Sequence, residues 1–206
     1  SCAVGTWSGV QNHVGALGLL WFDAHMDSHT PSTSQSGKIH GMPLASLLGY
    51  GPNSLTKLLH GNAKIDPRNV CLMGVRSFEA AEHTLLKKLG VKIIFAADIE
   101  QQGIKACLRQ ALQHINQHSR AFGVSIDLDV FDPEDIPAVG SPEPNGLKAS
   151  AFMDALKEFQ PWCARLQGIE IAEFNPRYDK EGKTALWVNQ LWRQLLKLKV
   201  TATQSH

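Results

Sequence analysis

Two short acidic clusters carry the chemistry-bearing residues of this chain. Asp23-Ala24-His25-Met26-Asp27 sets a carboxylate, an imidazole and a carboxylate at alternate positions, and Ser125-Ile126-Asp127-Leu128-Asp129 sets two more carboxylates the same way. Residues at i, i+2 and i+4 of an extended chain project to one side. If the two segments are neighbours, four carboxylates and one imidazole converge. Such a group loses hydration and repels itself unless a cation neutralises it. Oxygen donors with an imidazole suit harder divalent ions, which favours Mn2+ over a thiolate-seeking metal. Ligands this numerous point to two ions, about 3.5–4 Å apart and bridged by carboxylates. Taken singly, either cluster could equally be a solvated turn. A calcium loop at Asp23 lacks both the glycine of the sharp turn and the closing glutamate.

Each cluster ends an apolar run, and each is followed by a long polar, Gly/Pro-rich segment, Ser28–Met42 and Phe131–Gly146. Apolar runs at 15–23, 69–75, 91–95, 121–127 and 166–173 are continuous rather than alternating. Strands covered on both faces have this pattern. Helical stretches alternate with them: 44–61, interrupted at Gly51-Pro52; 78–89, stopped by Gly90; a long amphipathic 99–118; 147–159; and 181–199. The alternation predicts an α/β sandwich with a mostly parallel sheet. Ligands of such sheets bind beyond the carboxyl ends of the strands, where both clusters fall.

The chain has 206 residues, 43% of them hydrophobic, which is enough for one self-standing core and excludes global disorder. Twenty Lys and Arg against nineteen Asp and Glu leave a net charge of +1, so binding nucleic acid through bulk charge is not expected. No apolar run reaches the ~20 residues of a membrane helix. Cys2, Cys71, Cys107 and Cys163 are widely spaced with no C-x-x-C pair, as expected of free thiols in a reducing, cytoplasmic compartment.

The two clusters resemble signatures of the ureohydrolases, the arginase and agmatinase family. Asp23 to Asp27 is similar to D-A-H-x-D, and Ser125 to Pro133 to S-x-D-x-D-x-x-D-P. Ser36-Gly37-Lys38-Ile39-His40-Gly41-Met42-Pro43 resembles S-G-N-x-H-G-x-P of the arginase branch. Gly74-Val75-Arg76-Ser77 and Glu173-Phe174-Asn175-Pro176 fall where the family has G-x-R and E-x-N-P. The resemblance implies a three-layer α/β/α fold and a hydrolase acting on linear amidines. Its two Mn2+ ions would hold a bridging hydroxide that attacks a guanidinium carbon and releases urea. By the same carry-over, Asp23 and Asp127 bridge the ions and His25 and Asp129 complete one of them. Asp27 binds the other and hydrogen-bonds the hydroxide. Glu173 sits against the guanidinium, and His40 protonates the leaving amine; without the motifs these two would read as a strand-end cap and a loop histidine. Ser36 matches a serine that binds an α-carboxylate. His29 and Lys38 replace asparagines of that loop, and Glu79 stands at the position of an aspartate that binds the α-amino group. This set favours an α-amino acid, L-arginine, over agmatine, with Lys38 equally readable as a solvated loop residue.

The segment from Ser1 to Gly9 resembles the continuation of a further family motif, G-G-D-H, whose histidine is a metal ligand and whose following serine opens a helix. The resemblance therefore implies an N-terminally truncated ureohydrolase domain over residues 1–200 and a polar tail at 201–206. It also implies missing N-terminal strands, an unpaired sheet edge, one incomplete metal site and impaired turnover by this chain alone. Homo-oligomers, trimers or hexamers, are implied as well. The competing readings are an amidinohydrolase for agmatine or another guanidino acid, and a non-catalytic arginase-like fragment.

Overall fold

The computed structural model describes the backbone of residues 2–203 and the side chains of residues 2–199. Its centre is a five-stranded, all-parallel sheet in the order β3-β2-β1-β4-β5, formed by β1 (Leu17–Phe22), β2 (Val70–Val75), β3 (Lys92–Phe95), β4 (Ala121–Asp127) and β5 (Leu166–Ala172). β1 lies at the centre, between β2 and β4, and every residue of β1 and β2 is buried. That burial is the reason their sequences are apolar without alternation. The register pairs Phe22 with Ile126, so the acidic exits of β1 and β4 lie side by side.

Helices α1 (Cys2–Val14), α2 (Pro43–Leu47), α3 (Asn53–Thr56), α4 (Ala80–Leu89), α5 (Ala96–Gln102), α6 (Ile104–Ile115), α7 (Ala149–Ala155) and α8 (Lys183–Thr203) complete the fold. Leu17, Leu19 and Trp21 of β1 pack against Trp7 of α1, Leu44 of α2 and Leu86 of α4. Leu20 and Phe22 face Leu108 and Leu112 of α6, Phe152 of α7 and Leu191 of α8. Two apolar layers therefore flank the sheet, giving the expected three-layer α/β/α sandwich. Trp7 is fully buried against Gly123 of β4, where an added Cβ would lie 2.0 Å from its ring.

Several expected boundaries are corrected. The predicted helix at 99–118 is two helices, because Gly103, at φ 82°, ends α5 and starts α6. The predicted 147–159 helix stops at Ala155 and continues as 3-10 turns over Leu156–Arg165, a stretch that contains Pro161. The predicted 78–89 helix begins at Ala80, after a capping box between Glu79 and Glu82. The last helix runs on through Thr203, into the expected polar tail, whose remaining residues 204–206 lie outside the described residues, as does Ser1. Cys71, Cys107 and Cys163 are buried free thiols, and Cys2 is exposed and free. No helix among the described residues is long and apolar enough to cross a membrane.

Candidate metal centre

The sheet's carboxyl edge opens into a cavity of about 570 Å³. All eleven side chains singled out in the sequence line it: Asp23, His25, Asp27, His29, Ser36, Lys38, His40, Glu79, Asp127, Asp129 and Glu173. Asp23, His25 and Asp27 follow β1 directly, Asp127 ends β4, and Asp129 lies in a 3-10 turn that the Asp127 side chain caps by accepting from Asp129 N at 3.0 Å. The chain therefore folds back on its own acid to bring the second carboxylate round. Asp27 and Glu173 are held at φ 49° and 61°, a left-handed backbone that non-glycine residues adopt at a cost.

Asp23, His25 and Asp129 each offer a ligand atom within 4.8 Å of the others, a candidate metal-binding triad. His25 Nδ1 lies 3.0 Å from Asp129 Oδ2 and 3.5 Å from Asp23 Oδ1. The buried Asp23 also accepts from Trp21 Nε1 at 2.9 Å and His25 N at 2.7 Å. Burial raises the Asp23 carboxyl to about 6, partly offset by its hydrogen bond to His25 and reinforced by the negative charge of Asp129. Burial also pushes Asp27 and Asp127 well above the ordinary carboxylate range, and the charges of Asp23 and Asp129 add to the push. Hydrogen bonds to Asp129 and then Asp23 raise the His25 imidazole to about 11. This is a desolvated excess of negative charge made of hard oxygen donors and one imidazole, and it fits a divalent cation.

The substrate side of the cavity is more mixed. Ser36, Lys38 and His40 are exposed, on the loop before and in the 3-10 turn at Ile39–Gly41. His29 Nε2 lies 3.6 Å from Glu79 Oε1 and 3.5 Å from Glu82 Oε2, so its ring faces two glutamates at the start of α4. Sequence reasoning missed Glu82, Glu143 and Glu170. Glu82 accepts from Ser28 N at 3.0 Å, bracing the loop after Asp27. Glu170, on β5, accepts from Thr6 Oγ1, Trp7 Nε1 and Ser125 Oγ at 3.0–3.1 Å, tying α1 to β4 beside Asp127. Glu170 does have a sequence signal: it is the one charged residue of its strand, set between two isoleucines.

Arg76 explains the G-x-R element. Its Nη2 donates to the carbonyls of Asp129 at 2.7 Å and Glu143 at 2.8 Å, and its Nε donates to the Pro144 carbonyl at 2.8 Å. Gly74, at φ 96° and with an added Cβ only 2.4 Å from Val130 Cγ2, permits the close approach of β2 to the β4 exit.

An α/β/α sandwich with an acidic cleft at the carboxyl ends of parallel strands belongs to the α/β proteins whose ligands bind beyond the strand ends, here with donors suited to a divalent cation. The family model described as "Arginase family" matches residues 1–197, and the chain belongs to that family. It is 37% identical over 188 residues to an arginase of Bacillus caldovelox, covering 90% of this chain and 62% of that protein. With an arginase of Bacillus subtilis it shares 36% identity over 198 residues, 95% of this chain and 66% of the relative. The fold superposes on arginase from Bacillus cereus with a TM-score of 0.88 at 32% identity, over 96% of this chain and 66% of that one. Entamoeba histolytica arginase in complex with L-ornithine gives a TM-score of 0.82 at 30% identity, over 95% and 65%. The chain thus spans a little over three-fifths of the length of the curated relatives it matches.

Proposed function

We propose that this chain carries the metal and substrate residues of a Mn2+-dependent hydrolase that converts L-arginine and water to L-ornithine and urea. The observation that carries the reading is the gathering of Asp23, His25 and Asp129 in one candidate metal-binding triad, on a cavity that Asp27, Asp127 and Glu173 also line. The solved relative that holds L-ornithine supports the choice of amino-acid substrate.

Asp23, His25, Asp27, Asp127 and Asp129 are the residues that would hold two Mn2+ ions. The ions, when bound, supply Lewis acidity that makes water nucleophilic near neutral pH. Glu173 accepts from the substrate guanidinium and fixes its carbon over the cluster. Asp27 orients the attacking water by accepting one of its hydrogens. His40 donates a proton to the amine that leaves as the carbon–nitrogen bond breaks, a task suited to an imidazole. Ser36 and Lys38 donate to the α-carboxylate. Glu79 attracts the α-ammonium, and His29 braces Glu79 from inside. The polypeptide works as a homo-oligomer in the cytoplasm.

Urea release tests the proposal, with L-arginine, agmatine and guanidinobutyrate compared in parallel at saturating Mn2+. Preference for arginine is the expected result, and equal or better turnover of agmatine would overturn the substrate assignment. Turnover by this chain, set against a full-length relative, measures the expected impairment. Calorimetric titration with Mn2+ separates a metalloenzyme from a non-catalytic fragment, since one or no bound ion per chain favours the latter and two disfavour it.

A further inference from the structure

We propose that Glu143 is a positioning residue for the metal centre: it holds the far side of the His25 ring so that Nδ1 faces the cation. The inference rests on the metal-centre reading above. His25 Nδ1 is the nitrogen gathered with the Asp23 and Asp129 carboxylates, at 3.5 and 3.0 Å. The other nitrogen, Nε2, points away from that group and lies 3.4 Å from Glu143 Oε1. The ring is therefore addressed by carboxylates at both ends. A cation on Nδ1 leaves the proton on Nε2, where a carboxylate acceptor fixes the tautomer and ring plane and makes the metal-facing nitrogen more basic.

Glu143 belongs to a long irregular loop, which ordinarily would place a side chain poorly. Arg76 removes that freedom. One nitrogen of its guanidinium, Nη2, donates both to the Asp129 carbonyl at 2.7 Å and to the Glu143 carbonyl at 2.8 Å. The two residues whose carboxylates bracket His25 are thus tethered through their backbones to a single atom. Nε of the same guanidinium donates to the Pro144 carbonyl at 2.8 Å, so two nitrogens of one planar group hold consecutive carbonyls of the loop, which the single ammonium nitrogen of a lysine could not do in that geometry. Glu143 is itself only partly exposed, its side chain retaining 31% of its accessibility.

Mn2+ affinity of the 206-residue chain, measured by calorimetry, tests the inference with Glu143→Ala and Glu143→Gln. Loss of an outer partner of a metal-binding histidine costs about 10–100-fold in affinity. Glu143→Ala is expected to weaken binding at least about tenfold, and Glu143→Gln, which keeps an oxygen acceptor, by clearly less than Glu143→Ala. Thermal stability without metal should change little in either variant. As a second readout, long-range 15N–1H spectra of the Zn2+-loaded parent should show the His25 proton on Nε2. Glu143→Ala affinity equal to the parent's would overturn the inference and leave the metal centre standing. Equal losses in the two variants would overturn it too, by assigning the effect to charge alone. A parent that binds no Mn2+ would overturn the metal-centre reading itself, and this inference with it.

Discussion

Trp21, on β1, and Asp23, just past that strand's end, are two residues apart, and the indole Nε1 of the first donates to Oδ2 of the second at 2.9 Å. Both are almost fully buried, so a core side chain of β1 fixes the carboxylate at that strand's exit. The bond favours the ionised acid against the burial that raises it. Trp21→Phe should therefore raise the Asp23 carboxyl further above about 6 and shift half-loading with Mn2+ to higher pH. Metal titrations at several pH values read the shift, and an unmoved profile would count against Asp23 as a ligand.

The metal-free chain should lose stability as pH rises. Asp23 has a folded value of about 6 against 3.8, so the folded state binds more protons between the two, and stability falls across that window. His25, raised from 6.5 to about 11, contributes stability that is present below 6.5 and lost as pH rises toward 11. Asp27 and Asp127 act in the same direction as Asp23. Mn2+ competes with those protons, so saturating metal should flatten or reverse the trend. Melting temperatures from acid to alkaline pH, with and without Mn2+, would show two different slopes; parallel slopes would contradict this account.

Gly123→Ala should be strongly destabilising for so small a change. The new methyl would lie 2.0 Å from the buried Trp7 ring, and overpacking of this kind costs about 1–3 kcal/mol. Because Trp7 also donates to Glu170 at 3.0 Å, the displaced ring should loosen α1 against the cavity. Urea denaturation measures the first effect, and hydrogen exchange of α1 amides measures the second.

Lys38→Asn tests whether an exposed lysine contributes to substrate choice. If Lys38 contacts the α-carboxylate, KM for L-arginine should rise while KM for agmatine, which has no carboxylate, stays put. An unchanged KM for arginine would return Lys38 to the solvated loop.

The three central strands were legible because each is an apolar run buried on the sheet, the half-buried edge strands β3 and β5 because their runs are still largely apolar, and the exits of β1 and β4 carried their acids in plain view. The break at Gly103 was not. The apolar stripe of Ile104, Leu108, Ala111, Leu112 and Ile115 follows so soon after Ile99 that periodicity read straight across a residue at φ 82°. Residues placed by their own strand, such as Asp23 and Asp127, could be found from spacing. Glu82 and Glu143 could not, since the partners that orient them, Ser28 and Arg76, are distant in sequence. His29 and Glu79, both expected on the substrate side of the cavity, also face each other at 3.6 Å, a relation that only the packed loop reveals.

Asp27 and Glu173 occupy the backbone region where glycine would rest most easily. A stability-guided redesign that ranked substitutions by conformational ease would replace both acids, harvest a firmer scaffold and strip the cleft of two of its charges. At these two positions a change that looks cheap would be the most damaging, and engineering should begin at Leu59, an exposed residue at φ 64° that does not line the cleft.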